Sequence, residues 1–214
     1  MSVVPDTSAG VGPVAPSART SSGLFTRIKG MLFAPSAEWA LIATEATPTA
    51  RLYTTFIAPL ALLDALVAFV HVTSGAVHVP FSGGVITALL VFGFGLLGIF
   101  LVAVIIDAVA PFFGAVSDRR LASAIAAYAS TPIWLATVFV HFPTLWAPLQ
   151  VLAVIYHTWL LYLGLRLLMK AAPDRVLGYA TTVVLCTILL EIVFAIASTA
   201  LGGATHLNPY RALG

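Results

Sequence analysis

Apolar residues in this chain run on for more than twenty positions at a time, at roughly 52–73, 85–112, 119–142, 148–169 and 177–201. A helix rises about 1.5 Å per residue, so about 20 apolar residues cross the roughly 30 Å hydrocarbon core of a bilayer. Each of the five runs meets that length. The expected fold is therefore all-α, an integral membrane bundle of five transmembrane helices. Breaker residues separate the runs. Gly75, Pro80, Gly83 and Gly84 lie between the first two, and Gly114 to Arg120 form a short charged connection. Pro143 and Pro148 bracket a tight turn, and Ala171 to Asp174 make the last one. Thr47-Pro48 and Ser117 are the expected helix starts for the first and third spans.

The flanks read differently. Residues 1–23 are rich in Ser, Ala, Pro and Val without apolar period, and predict a disordered tail. They lack the basic start and unbroken apolar run of a signal peptide. Residues 24–46 place Phe25, Ile28 and Leu32 at helical spacing beside Arg27 and Lys29, followed by Pro35 and Trp39. That pattern predicts an amphipathic segment, either in the cytoplasmic headgroup layer or packed on the cytoplasmic ends of the bundle. Residues 47–203 make the transmembrane domain, and 204–214 a short external tail.

Composition agrees, with 60% hydrophobic residues and 8% charged, where soluble domains carry about a quarter. Charge then orients the bundle. Arg19, Arg27, Lys29 and Arg51 precede the first span, Arg119 and Arg120 precede the third, and Arg166, Lys170 and Arg175 surround the turn into the fifth. The alternate connections carry no Lys or Arg, and the end of the chain only Arg211. The positive-inside rule puts the N-terminus in the cytoplasm and the C-terminus outside. The net charge of +2 gives no reason to expect nucleic acid, and the lone Cys186 allows no internal disulfide.

Ionisable groups inside apolar spans cost about 2.5–3.5 kcal/mol each even on insertion scales, so each needs a reason. Asp64, His157 and Glu191 all lie on stripes of small residues, which mark close helix contact. Counted from Arg51, Lys170 and Arg175, the three fall at similar depth, so they are expected to meet in one intramembrane polar cluster. Asp107 is expected shallower and apart. With Tyr128 and Pro132 it makes a secondary candidate, because Pro132 frees the carbonyl of Tyr128 within Tyr128-Ala-Ser-Thr-Pro132. Such a break either binds an ion or is re-satisfied by Ser130 or Thr131. Gly93, Gly95 and Gly98 predict close packing, within the protomer or between copies. Histidines 71, 78, 141 and 206 come from separate segments, and no metal site or cofactor is expected. Neither an H-E-x-x-H, a nucleophile elbow nor a Gly-rich phosphate loop is present, so no enzyme is expected.

Taken together, these residues resemble the Yip-domain (Ypt-interacting protein) membrane family, in its bacterial branch. The likeness covers roughly residues 25–200: Pro35 and Trp39, Pro59-Leu60, Arg119-Arg120, Tyr128-Ala-Ser-Thr-Pro132, Tyr162-Leu-Gly164, and Lys170-Ala-Ala-Pro-Asp-Arg-Val-Leu-Gly-Tyr179. The resemblance implies five spans behind a cytoplasmic N-terminal segment. Eukaryotic relatives are adaptors for small GTPases in vesicle traffic. The expectation is thus a non-enzymatic scaffold in a bacterial inner membrane, meeting partners through Arg119, Arg120, Lys170 and Arg175. The alternative is a small proton- or ion-coupled transporter using Asp64, His157 and Glu191.

Overall fold

The computed structural model describes residues 23–45, 47–74 and 79–204, and every regular element among them is helical, with no strand. The expected tail, most of the external end, His78 and His206 lie outside the described residues. Two short helices, α1 (Leu24–Phe33) and α2 (Pro35–Thr44), form a hairpin about Ala34. Then come α3 (Thr49–Leu52), a π-helical turn (Tyr53–Ile57) and α4 (Ala58–Ser74), which read as one segment. The π turn sits immediately before Pro59, whose missing N–H is what regular α-helical bonding could not accommodate. Helix α5 (Phe81–Val109) ends in a 3₁₀ turn (Ala110–Phe113), with Gly114 at φ 66°. Four shorter connections join α6 (Arg119–Ala129), α7 (Thr131–Thr137), α8 (Pro143–Leu167) and α9 (Val176–Ala204) to one another and to α5.

Among the described residues, four helical segments are long and apolar enough to cross a bilayer: Thr49–Ser74, Phe81–Phe113, Pro143–Leu167 and Val176–Ser198. The remaining run, expected as a third span interrupted at Pro132, is two helices of 11 and 7 residues meeting at Ser130. Pro132 explains the division. It cannot donate to Tyr128, and Ile133 and Trp134 both bond back to Ser130 instead. This split pair is the most buried part of the bundle. Helix α6 packs on α5 and α8, and α7 on α8 and α4. Ala122, Ser123 and every residue from Ile125 to Ala129 are buried.

Three helix starts differ from the sequence reading. Asp118, not Ser117, caps α6, accepting from the backbone of Arg120 and Leu121 at 2.8 and 3.2 Å. Ser117 is occupied elsewhere, donating to Asp107 at 2.7 Å. The first span opens one residue late, with Pro48 in the cap position. Helix α8 begins at Pro143, whose missing N–H is one of the four that a helix start leaves unpaired anyway, and carries Pro148 inside its second turn, where the carbonyl of Thr144 gives up its helical donor.

Of the two placements expected for residues 24–46, packing on the bundle is the one seen, and the hairpin runs along α8 as far as its middle. Tyr156 lies midway along α8, and its hydroxyl donates to the carbonyls of Met31 and Leu32 at 3.1 and 2.9 Å. Side chains lean toward the N-terminal end of their helix, so the α1 end sits level with the middle of α8 or beyond it. Trp39, in α2, touches the site of Gly164 near the other end of α8. The hairpin therefore enters the bundle from the Leu167 end of α8 and turns near the middle. Its ten-residue helices are too short to cross a membrane.

Candidate functional site

Arg27 organises the hairpin. It is only 2% exposed, on a helical face shared with the buried Met31. The expected apolar face was the one through Phe25, but Phe25 is 80% exposed. The exchange works because the guanidinium is neutralised twice. It donates to Glu38 at 2.6 Å and to Glu45 at 2.5 Å. It also lies over the Tyr128 ring, 5.3 Å from the centroid. Tyr128 in turn meets Phe56 and Trp39 edge to face, at 4.6 and 6.3 Å. Burial opposes the Arg27 charge, but the bond to Glu45 and the charges around it outweigh burial and raise its pKa. Gly30 makes room for the clasp, since a methyl there would fall on the Glu38 carboxylate. Cavities of about 160 and 20 Å³ flank Tyr128 and reach Arg51 and Arg120.

One helical turn deeper, the break between α6 and α7 leaves two carbonyls without their usual donors. Thr131 covers Tyr128 with its hydroxyl, at 2.7 Å. Ala129 is covered from another helix: His157 on α8 donates through Nδ1 at 2.9 Å. Ser130 turns its hydroxyl back to Ala126, at 2.8 Å. The backbone polarity that a broken helix releases is thus met by side chains, as it must be inside a bundle.

The three cluster candidates are placed as follows. Asp64 is half-buried against Thr137, and Glu191 is near enough for its charge to interact with that of Asp64. Glu191 itself is exposed on the outside of α9. His157 is bonded to Ala129, and neither acid is among its partners. The secondary group is not one site either. Asp107 binds Ser117 and lies 3.5 Å from Arg119, Tyr128 belongs to the Arg27 clasp, and Pro132 lines an apolar groove. Of the glycines, Gly95 rests on Ala61 at 3.5 Å and Gly98 on Phe194 at 3.4 Å, while Gly93 faces open space.

Sequence reasoning missed the clasp, although an arginine inside a helix stripe, with Glu38 and Glu45 the only acids of residues 24–45, was a usable signal. It also separated histidines that meet: the His71 and His141 rings lie 5.2 Å apart. Among the described residues no group of three or more His, Cys, Asp or Glu could hold a metal. The remaining charge gathers at the end of the bundle from which the hairpin enters. Lys29, Arg51, Arg119, Arg120, Arg166, Lys170 and Arg175 are all exposed.

The family model described as the Yip1 domain covers residues 29–201. The chain belongs to that family. No curated protein and no solved structure matches it.

Proposed function

We propose that this Yip1-domain membrane protein is a non-enzymatic scaffold, with five crossings of a bacterial inner membrane and a cytoplasmic face that receives partners. The observation that carries the reading is how its polar groups are spent. Arg27, Glu38, Glu45, His157, Thr131 and Tyr179 bind one another or backbone carbonyls, whereas the exposed cations collect at one end. Counting the α6–α7 pair as a crossing puts all these cations on the same side, and the positive-inside rule makes that side cytoplasmic. Arg119 and Arg120, Lys170 and Arg175 come from two neighbouring connections, and the residue 116 backbone bonds to Met169 at 2.8 Å to hold those connections together. A basic face of this kind favours partners with acidic surfaces.

The test is photo-crosslinking in cells from residues 120 and 170, compared with residues 82 and 144 at the other end. The expected result is discrete protein adducts from the first pair alone, lost when Arg119, Arg120, Lys170 and Arg175 are changed to Glu in a variant that still folds. Adducts of equal yield from both ends would overturn the reading.

A transport reading rests on two acids carried by apolar spans, Asp64 half-buried on α4 and Glu191 exposed on α9. It requires that Glu191→Gln alter proton or solute flux in proteoliposomes with folding intact. Unchanged flux removes it.

A further inference from the structure

The hairpin tip stops about midway along α8, and the surface beyond it is hollow. A groove of about 390 Å³ runs from Leu32 and Phe33, along α7 and α8, to Phe139 and Leu149. Its floor is set by two small buried residues, Ala136 and Ala153. Its rim is open, with Phe33 79% and Leu152 60% exposed. The only polar side-chain group along it, the Tyr156 hydroxyl, is already bonded to Met31 and Leu32. We propose that this groove holds an acyl chain of a bilayer phospholipid, from the leaflet opposite the one the hairpin enters.

Three arguments select that occupant. The first is depth: α8 is a candidate span, and the groove follows it from the middle toward the Pro143 end, so it opens to hydrocarbon and not to water. The second is size. The groove extends only from Leu149 to Tyr156 along α8, roughly 10 Å. A helix of a second copy would meet it over no more than about two of its turns, whereas a flexible chain follows its whole length. The third is polarity. An extended peptide would bring backbone groups that find no partner there, and a hydrocarbon chain brings none. The driving force is contact, not the hydrophobic effect, because the surrounding lipid is as apolar as the walls. Left empty, the groove would forfeit van der Waals contact along its whole length.

The experiment uses the full chain in nanodiscs of palmitoyl-oleoyl phosphatidylcholine doped with the same lipid bearing a diazirine near the chain terminus. Photolabelled positions are mapped by mass spectrometry. Leu189 on α9, 63% exposed and outside the groove, reports ordinary surrounding lipid. The expected result is labelling of the 135–156 walls at least about threefold above that at Leu189, a difference of under 1 kcal/mol in occupancy. Leu152→Trp fills the groove from its exposed rim without entering the core, and should bring the walls down to the Leu189 level. Leu189→Trp should leave them labelled. Wall labelling that only follows exposure, or that survives Leu152→Trp in folded protein, overturns the proposal. So does protection of the walls together with crosslinks between two copies.

Discussion

A buried arginine is stable only while its partners remain. Replacing Arg27 by Met strands two carboxylates that are almost enclosed, and removing one side of a buried ion pair costs about 3–5 kcal/mol. Changing Arg27, Glu38 and Glu45 together to Met, Leu and Leu removes the desolvated charges as a set. That triple variant is expected to fall within about 1 kcal/mol of the parent. Thermal unfolding in detergent compares the two, and an Arg27→Met variant as stable as the parent would mean that the clasp holds nothing. Gly30→Ala tests the same contact from the other side. Its methyl displaces Glu38, and overpacking of this kind costs about 1–3 kcal/mol. The loss should shrink in a background already lacking the Arg27 charge. If it is the same in both backgrounds, the space at Gly30 does not serve the clasp.

At the scale of elements, long helices were legible because composition alone sets their length. The position of the break was legible too, since Pro132 can sit in a helix only by giving up a bond. The partner that repairs the break was not. Ala129 offers a carbonyl, and a backbone atom leaves no trace in a sequence, so His157 looked like a candidate ionisable site with Asp64 and Glu191. The hairpin was half legible. Pro35 and Trp39 marked it, but its ten-residue helices fall below the spanning length, and nothing in their order tells lying on the membrane from packing against the bundle. Replacing His157 by Phe should cost about 1–3 kcal/mol, the penalty of a buried carbonyl without a partner. Pro132→Ala gives residue 132 its N–H back and lets the helix close on its own carbonyls. The His157→Phe loss should then be smaller in the Pro132→Ala background. A double-mutant cycle on unfolding free energies reads the coupling, and strict additivity would separate His157 from the break.

At the scale of the whole molecule, the account makes the α6–α7 pair a full crossing despite its interruption. Buried on α4, α5 and α8, the pair needs no continuous apolar surface, so neither half passes for a span by its own length. Everything about sidedness depends on that crossing, because it decides whether Arg119 and Lys170 share a compartment. The most direct measurement is labelling of single cysteines by a membrane-impermeant thiol reagent in sealed vesicles of known sidedness, with Cys186 replaced by Ala. Positions 117, 174, 82 and 144 are all exposed. The account predicts that 117 and 174 label only from the cytoplasmic side, and 82 and 144 only from the other. Labelling of 117 and 174 from opposite sides would contradict it, and with it the shared basic face.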